Sequence, residues 1–279
     1  HKRVLSKLNL KHKKPIVLNH WNKFLKNLEN PLDSINVAIV GKYIELHDAY
    51  KSIAESLIHA GVKLFTKINL KWISSEKINS KNVFKKFKNI NGILVAPGFG
   101  SRGISGKITT VKYARENKIP FFGICLGMQC ASIEFARNVL NIKNANSTEF
   151  KEKTKNPIIN LMEDQKSIKI KGGTMRLGSY KCRIKKNSIA FNSYMKNNIN
   201  ERHRHRYEFN NKYLGEFEKK GMISSGFNER LGVVEIIELK NHPWFLGTQY
   251  HPEYKSTVLN PHPLFINFIK SIVKLKNGK

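Results

Sequence analysis

Short runs of continuously apolar residues, separated by segments with helical spacing, constrain the fold of this chain more than any other feature. The apolar runs are INVAIV at 35–40, GILVA at 92–96 and IPFFGI at 119–124. The helical segments are residues 48–61, 106–118 and 126–140. A strand that is apolar on both faces is typical of a parallel sheet covered by helices. The order of the elements predicts an α/β fold: an open, mostly parallel twisted sheet with helices on both faces.

The second half of the chain has a different pattern. Residues with strand character and turns between them lie at 168–184, 205–213, 231–240 and 244–250. We expect a smaller antiparallel β portion there, followed by a closing amphipathic helix at 263–275. In the first half, a further strand is expected near 67–72. Asp48 is the expected N-cap of the first helix and Gly61 its expected end.

The first 33 residues differ from the rest of the chain. Lys, Asn and Leu dominate them, no strand pattern is present, and Pro15 and Pro31 interrupt the segment. A short helix is expected from about His20 to Leu28. We therefore divide the chain into a linker, or the end of an upstream domain, at 1–33 and one α/β domain at 34–279.

Composition narrows the classes of function. The chain carries 50 basic and 20 acidic residues, a formal net charge of +30. Lys is spread through nearly every segment, whereas a nucleic-acid-binding protein usually gathers its charge on one face and interleaves aromatic residues. We therefore do not expect nucleic acid as the main ligand. The one local cluster, the arginines and histidines at 202–206, is of a kind that binds a phosphate or a carboxylate.

The cysteines and the apolar pattern indicate the compartment. Cys125, Cys130 and Cys182 are too few, and odd in number, for a disulfide scaffold, and they fit a reducing compartment. No apolar run approaches the ~20 residues that span a bilayer. The basic N-terminus lacks the apolar stretch of a signal peptide. We expect a cytoplasmic protein without a membrane partner.

Cys125 is the strongest candidate for a nucleophile. It lies between a buried strand and a helix, with Gly123 and Gly127 two residues to either side. This is the sulfur version of the G-x-S-x-G turn, in which strand and helix approach closely and the nucleophile projects over the sheet. The start of the helix stabilises a thiolate, and the backbone N–H of Leu126 is placed to donate to an oxyanion. The alternative, a small buried core cysteine, fits Cys130.

His251 and Glu253 are the candidate base and the group that orients it. At i and i+2 of an extended segment, an imidazole and a carboxylate share a face. Glu253 then holds one ring nitrogen and leaves the other for the thiol, which is the logic of a catalytic triad. The alternatives are a turn histidine beside Pro252 and, with less support, a metal ligand. No Cys/His spacing in the sequence suits zinc, so no metal site is expected.

A glycine-rich loop follows the second apolar run. Its sequence at 98–103, G-F-G-S-R-G, formally matches a dinucleotide-binding fingerprint but lacks the helix start and the acidic residue that this fingerprint requires. Residues 101–108 resemble a P-loop without its first glycine and its final Ser or Thr. We therefore expect no ATP site of that type and no cofactor in this chain. The loop is better interpreted as backbone N–H groups that face the nucleophile from the neighbouring strand.

The triad pattern, G-I-C-L-G with a distant H-P-E, resembles the class I, triad-type glutamine amidotransferases. Longer segments, in order between about residues 36 and 270, resemble more narrowly the glutaminase domain of CTP synthases. They are GKYIELHDAYKSIAESL at 41–57, GFGSRGISGKI at 98–108, RNVLNIKNANSTEF at 137–150, GGTMRLGSY at 172–180, ERHRHRYEFNN at 201–211 and NHPWFLGTQYHPEYKSTVLNPHPLF at 241–265. The first 33 residues resemble the linker that follows the family's synthetase domain.

The resemblance implies roles for individual residues. Cys125 matches the family's nucleophile, His251 its base and Glu253 the group that orients the base. The residues at the family's glutamine-binding positions are Pro97, Gly98, Phe99, Leu126, Gly127, Met128, Gln129, Glu149 and Arg206. A carboxylate suits the α-ammonium of glutamine, and an arginine suits its α-carboxylate. Arg102 falls in the family's mobile lid loop, which responds to GTP.

Two departures from the family pattern stand out. The family usually has P-G-G-F-G in the loop where this chain has Ala96 to Gly100, so Pro97, which has no N–H, replaces a glycine. If that N–H serves the oxyanion, the chain has one donor fewer. The second departure is larger: these 279 residues contain no amidoligase domain with its ATP and UTP sites. We expect a fragment of a longer polypeptide or a separately encoded subunit.

The inferred reaction is hydrolysis of the γ-amide of glutamine by Cys125 and His251. The resemblance implies that the ammonia reaches an amidoligase partner, where ATP-activated UTP is aminated to CTP in pyrimidine biosynthesis. ATP, Mg²⁺ and GTP are expected only with that partner, and a homo-oligomer is expected to form through it. Three alternatives remain: an amidotransferase of the same class with another acceptor, a stand-alone γ-glutamyl hydrolase, and a basic nucleic-acid-binding or assembly protein with an inactive site.

Overall fold

A nine-stranded sheet lies at the centre of the structure, a computed structural model that describes residues 2–11, 17–161 and 175–278. Its first strands are β1 (Asp33–Gly41), β2 (Thr66–Ser74), β3 (Gly92–Val95) and β4 (Phe121–Ile124). The others are β7 (Arg176–Ile184), β8 (Asn198–His205), β10 (Met222–Asn228), β11 (Val233–Leu239) and β12 (Phe245–Thr248). A small second sheet contains β5 (Ala145–Ser147), β6 (Asn156–Leu161) and β9 (Tyr207–Phe209).

The large sheet has two halves. Its strands follow one another in the order β2-β1-β3-β4-β12-β11-β10-β7-β8. Neighbours from β2 to β12 are parallel, and we call these five strands the parallel half. From β12 onward the neighbours are antiparallel, so β11, β10, β7 and β8 form the antiparallel half. The predicted mostly parallel sheet with an antiparallel portion in the second half of the chain is confirmed.

Helices cover both faces of the parallel half. The helices are α1 (Lys2–Lys7), α2 (Asn19–Glu29), α3 (Lys51–Lys63), α4 (Val83–Lys86), α5 (Ile104–Glu116), α6 (Leu126–Asn138), α7 (Ile189–Tyr194), α8 (Leu214–Lys219) and α9 (Pro263–Asn277). In β1, Ala38 and Val40 belong to a buried cluster with side chains of α5 and α6. Val37 and Ile39 belong to a second cluster with α3 and α9. Both faces of this strand are therefore buried, which explains its continuous apolar sequence.

The first predicted helix starts and ends later than expected. Asp48 does not cap it, because His47–Tyr50 forms a 3₁₀ turn and α3 begins at Lys51. Gly61 does not end it, because the helix continues beyond that residue. The glycine instead permits close packing: a Cβ at Gly61 would lie 2.6 Å from the carbonyl oxygen of Thr66 in β2.

The second half of the chain contains more elements than its sequence pattern predicts. β11, β12 and α9 match predicted segments, whereas β5, β6, β10 and the short helices α7 and α8 have no predicted counterpart. The β segment predicted at 205–213 is confirmed only in part: it contains the end of β8 and the short strand β9, but a 3₁₀ turn follows at Asn211–Tyr213. Of the strand predicted at 168–184, the part before residue 175 lies outside the described residues.

The helix expected near the N-terminus is present as α2. Phe24 on this helix contacts His59 of α3, with ring centroids 6.2 Å apart. Trp21, Leu25 and Leu28 remain 44–48% exposed. The helix therefore rests on the domain by one side and presents apolar side chains on another. In the part of the chain that the structure describes, no helix is long and apolar enough to cross a membrane.

Candidate active site

Cys125 lies at a sharp turn between β4 and α6. Its backbone has φ +51° and ψ −102°, a region that residues other than glycine rarely adopt. Its N–H donates to the carbonyl oxygen of Thr248 at 2.7 Å, and its side chain is buried. Backbone strain of this kind costs about 1–3 kcal/mol and clusters at functional sites. The predicted turn from strand to nucleophile to helix is therefore present.

The two glycines around Cys125 are required by close packing. A Cβ at Gly123 would lie 2.7 Å from the carbonyl carbon of Gly127. A Cβ at Gly127 would collide with the carbonyl oxygen of Val95 in β3. Strand and helix thus meet without room for a side chain at either position, which confirms the physical reason for glycine in the motif.

His251 and Glu253 form a buried pair beside Cys125. Nδ1 of His251 lies 2.7 Å from Oε1 of Glu253. Nε2 of His251 is buried, has no nitrogen or oxygen partner in the described ranges and faces the thiol of Cys125. The extended segment expected here is wrong, because Pro252–Lys255 forms a 3₁₀ turn. The turn nevertheless brings the imidazole and the carboxylate together.

The surroundings of His251 favour its protonated form. Burial disfavours the charged ring, but the Glu253 carboxylate bonded to Nδ1 and the neighbouring sulfur of Cys125 outweigh burial and hold the pKa of His251 well above its usual value. A protonated imidazole in turn stabilises a thiolate on Cys125. His251 thus holds a proton next to the nucleophile.

The other two cysteines lie in different surroundings. Cys130 is fully buried further along α6, and burial raises the pKa of its thiol to about 12. Burial also raises the pKa of the Cys182 thiol, in β7, well above its usual value. Both thiols are therefore protonated at neutral pH. Of the three cysteines, all of which the structure describes, Cys125 lines the cleft over the site.

A cleft of about 350 Å³ opens over Cys125. Its wall includes the predicted residues His251, Glu253, Pro97, Gly98 and Phe99. Side chains that no sequence pattern identified as site residues, such as Tyr43, Asp48, Arg204 and Tyr254, also line it. Two of them lie in the segment at 41–57 that carries the family resemblance, so the sequence held a signal for that wall. Arg204 and Tyr254 likewise lie in segments that carry the resemblance, at 201–211 and 241–265.

Two buried lysines fix the glycine-rich loop beside the nucleophile. The ammonium group of Lys107, in α5, donates to the carbonyl of Ala96. That of Lys42 donates to the carbonyls of Phe99 and Gly100. Burial lowers the pKa of Lys107 to about 8 and lowers that of Lys42 as well. Because these carbonyls are held, the peptide planes of the loop keep fixed orientations beside the cleft.

Glu149 and Arg206, which the resemblance assigns to the charged ends of glutamine, lie within electrostatic reach of each other. Oε1 of Glu149 accepts the N–H of Gly100 at 2.6 Å. Burial raises the pKa of Glu149, although this N–H and the charges of Lys42 and Arg206 oppose the rise. Arg206 also interacts with the hydroxyl of Tyr207. The carboxylate is therefore bound to the loop in this structure.

The remaining predicted residues lie behind or outside the cleft. Residues 126–129 form the buried first turn of α6. The N–H of Gln129 donates to the carbonyl oxygen of Cys125 at 3.2 Å, whereas the N–H groups at 126–128 precede the first bond within the helix and suit an oxyanion. Arg102 is exposed, pairs with Glu76 at 2.6 Å and lies over the ring of Tyr43. Their roles in binding glutamine or an effector stay predictions.

The basic cluster at 202–206 is divided by the strand that carries it. His203 and His205 point into the interior, while the arginines at 202 and 204 are exposed. The histidines belong to a buried ionic network, whose other members are Arg176, Glu208 and Glu235. The cluster is therefore not a single phosphate-binding patch.

Comparisons with known proteins extend over most of the chain. A family profile described as glutamine amidotransferase class-I matches residues 45–271. A protein described as CTP synthase, from Cytophaga hutchinsonii, is 57% identical over 277 residues, which are 99% of this chain and 51% of that protein. A CTP synthase from Caldanaerobacter subterraneus is 53% identical over 259 residues, 93% of this chain and 48% of that protein. The chain spans about half the length of the curated relatives it matches.

A solved structure agrees with the sequence comparisons. The glutaminase domain of Trypanosoma brucei CTPS, with bound acivicin, is 34% identical to this chain and aligns with a TM-score of 0.81. The match covers 86% of this chain and 94% of that one. The agreement therefore concerns the whole fold as well as the motifs.

Proposed function

This chain belongs to the class I glutamine amidotransferase family and, within it, to the glutaminase domains of CTP synthases, and on that premise we propose that it hydrolyses the side-chain amide of glutamine. The observation that carries the proposal is the buried Cys125 at a strained turn beside the His251–Glu253 pair. A thiol, a base with its orienting carboxylate and N–H donors around one cleft are what amide hydrolysis through a thioester needs.

In the first half of the reaction, the thiolate of Cys125 attacks the amide carbon of the glutamine side chain. A C–S bond forms, and the electron pair of the C=O bond moves to the oxygen, which becomes an oxyanion. When the C–N bond breaks, the proton on His251 moves to the leaving nitrogen, so that ammonia departs and a glutamyl thioester remains. Glu253 keeps Nε2 turned toward the sulfur and stabilises the charged ring.

In the second half, water hydrolyses the thioester. Neutral His251 takes a proton from water while the water oxygen attacks the thioester carbon. The C–S bond then breaks and its electron pair returns to sulfur, which restores the thiolate and the imidazolium. The acid product ionises to glutamate. One glutamine and one water thus give one glutamate, one ammonia and the proton released by that ionisation.

In this proposal, N–H groups of the turn and of the loop after β3 bind the oxyanion. Gly98 stands next to the first residue of α6, since a Cβ at Gly98 would lie 3.5 Å from Cδ2 of Leu126. The N–H groups of these two residues are the proposed donors, and one such donor contributes about 3 kcal/mol. Glu149 and Arg206 bind the α-ammonium and α-carboxylate of glutamine, for which Glu149 exchanges its bond to Gly100.

The ammonia, in this proposal, serves an amidoligase partner that converts UTP to CTP. Support comes from the relatives, which are described as CTP synthases and are about twice as long as this chain. ATP, Mg²⁺ and GTP act with that partner, which also forms the homo-oligomer. The exposed apolar side chains of α2 offer a surface that fits such a partner. A cytoplasmic location, which the free cysteines favour, belongs to the same proposal.

The test measures glutamate release by residues 1–279 with and without a CTP synthase amidoligase domain, ATP, UTP and GTP. We expect slow hydrolysis and no CTP from the chain alone, and rescue of both by the additions, because loops of this kind complete a site when a partner biases them. Full activity of the isolated chain, indifferent to every addition, would favour a stand-alone γ-glutamyl hydrolase. Steeply salt-dependent binding of DNA or RNA without thioester trapping would favour the nucleic-acid alternative.

A further inference from the structure

Gln249 is a buried side chain beside the nucleophile that the reaction described above does not use. It follows β12, shortly before His251, and none of its surface is exposed. Nε2 of its side-chain amide lies 3.7 Å from Sγ of Cys125, within hydrogen-bond distance for sulfur. Its backbone N–H is held separately by the carbonyl oxygen of Glu235, at 2.8 Å. An uncharged donor is thus fixed against the reacting sulfur.

A second amide determines which end of Gln249 faces the sulfur. Nε2 of Gln129, in the first turn of α6, donates to the carbonyl oxygen of Tyr207 at 3.0 Å and to Oε1 of Gln249 at 3.2 Å. A backbone carbonyl can only accept, so Gln129 must turn its NH₂ group toward Tyr207. The same NH₂ group meets the oxygen of Gln249, which leaves the NH₂ group of Gln249 for Cys125. The Tyr207 carbonyl therefore sets the donor and acceptor of each hydrogen bond between Gln129, Gln249 and Cys125.

We propose that Gln249 is a catalytic residue that donates a hydrogen bond to the Cys125 thiolate, and that Gln129 and the Tyr207 carbonyl hold it in the donating orientation. The inference rests on the proposed hydrolysis, which forms this thiolate twice. A donor stabilises the thiolate that attacks the amide, and stabilises it again when the C–S bond of the thioester breaks.

Charged groups also act on the sulfur. His251, shortly after β12, and the ammonium group of Lys107, in α5, both interact with it electrostatically. Glu253 acts through its bond to His251. A substitution at Gln249 leaves all three groups in place, so a changed titration of Cys125 reports on the amide.

Alkylation of Cys125 by iodoacetamide tests the inference, because its rate follows the thiolate fraction and needs no glutamine. Gln249→Met keeps the length of the side chain but has no N–H, and Gln249→Glu replaces the donor by an acceptor. In Gln249→Met we expect a pH–rate midpoint about one pH unit higher and, at pH values below the midpoint of the unsubstituted chain, a rate about tenfold lower. Gln249→Glu moves the midpoint further, and at high pH the rates converge.

Two further variants complete the experiment. Gln129→Met leaves the amide of Gln249 without its orienting donor, so an intermediate midpoint is expected. Cys125→Ala gives the background from other thiols. Thermal unfolding of each variant identifies any that does not fold, and the remaining variants then decide the question.

An unchanged midpoint in the folded variants overturns the inference even if their activity falls, because a merely structural role does not move the titration of the thiol. Glutamine hydrolysis is measured in parallel. If the unsubstituted chain shows the expected thiolate titration but does not hydrolyse glutamine, the proposed function fails and the role of Gln249 toward the thiolate stands.

Discussion

The parallel and antiparallel halves of the sheet contribute to the site in different ways. In the parallel half, backbone geometry holds the nucleophile, because the strained turn at Cys125 depends on glycines that leave no room for side chains. In the antiparallel half, buried charges hold the structure together: Arg176 of β7 lies 2.8 Å from Glu208 and 2.7 Å from Glu235 of β11. One half therefore fixes the sulfur by packing, and the other is held together by buried charges.

β12 joins the two halves, since it pairs in parallel with β4 and in antiparallel with β11. Cys125 follows β4, and His251 comes shortly after β12. The carboxyl ends of neighbouring parallel strands meet at one edge of a sheet, so the sheet itself brings thiol and base together. The comparison predicts that changes at this edge abolish chemistry, whereas changes inside the antiparallel half mainly reduce stability.

Removal of the thiol has the largest expected effect. Cys125→Ala abolishes glutamine hydrolysis because no thioester can form. Cys130→Ala, the matched control, retains it because that thiol is buried and protonated. An electrophilic glutamine analogue, followed by mass spectrometry, labels Cys125 alone. Equal labelling of Cys130 or Cys182 contradicts the assignment of the nucleophile.

Glu253→Gln is expected to lower kcat by about 10²–10⁴-fold, because the imidazole loses its orientation and the charge that stabilises its protonated form. Burial disfavours the charged ring, and the Glu253 carboxylate raises the pKa of His251 against it. Without that carboxylate the pKa falls, so the proton for the departing ammonia is lost at lower pH. The alkaline limb of the pH–kcat profile should therefore move to lower pH.

The control for Glu253→Gln is Glu216→Gln, at an exposed position of α8, which should leave the profile unchanged. The raised pKa of His251 also affects stability. Its stabilising contribution is complete below the ordinary histidine pKa and is lost as pH rises through the folded-state pKa. Denaturant titrations across that range should show this loss in the unsubstituted chain and a smaller one in Glu253→Gln. If the free energy of unfolding depends on pH in the same way in both chains, the His251–Glu253 pair is excluded as the cause of the loss.

Two arginines of β7 allow a buried ion pair to be compared with an exposed one: Arg176 is buried and Arg183 is exposed. Burial raises the pKa of Glu235 to about 8 despite Arg176. Burial also opposes the charge on Glu208, but His205 and Arg176 together lower its pKa. Glu208 therefore carries the charge that pairs with Arg176 at neutral pH. The charge on Glu208 thus depends on this guanidinium together with His205.

Arg176→Met removes the guanidinium from the buried Glu208 carboxylate, which keeps only His205, and should lower the free energy of unfolding by about 3–5 kcal/mol. Arg183→Met, on the same strand, breaks a 3.0 Å pair with Glu229 between side chains that are 62% and 55% exposed. It should cost less than about 1 kcal/mol. Urea unfolding followed by circular dichroism measures both. Equal losses would mean that the buried network contributes no more than a surface pair.

The same contrast explains what the sequence could predict. The strands of the parallel half are continuous apolar runs with glycine-marked turns, and both features are visible in a few consecutive residues. In β8 the buried positions include Glu201, His203 and His205. An alternation whose buried members are charged has no hydrophobic period, so β8 was not predicted as a strand in its own right.

Prediction from the sequence reaches the same limit at the active site. Cys125, His251 and Glu253 stand in motifs with fixed spacing, which made them predictable. Lys107 and Gln249 bind a backbone carbonyl and a sulfur that only the folded chain brings near. Because such partners impose no spacing on the sequence, single buried residues of this kind stay hidden until the fold is known.

Pro97→Gly has the smallest expected effect. It tests whether an N–H at this position of the glycine-rich loop contributes to the oxyanion hole. Lys107 holds the carbonyl of Ala96, and the peptide bond from Ala96 to Pro97 is trans. In a trans peptide the N–H points away from the C=O. An N–H restored at position 97 would thus lie opposite Lys107, on a residue that lines the cleft.

With Gly98 and Leu126 as the existing donors, we expect Pro97→Gly to raise kcat for glutamine hydrolysis about tenfold, less than the 10²–10³-fold that a single essential donor contributes. Pro97→Ala is the matched control, because it restores the N–H without the flexibility of glycine. Equal gains in the two variants assign the effect to the donor. A gain in Pro97→Gly alone assigns it to loop flexibility, and unchanged rates in both mean that Gly98 and Leu126 already form a complete oxyanion hole.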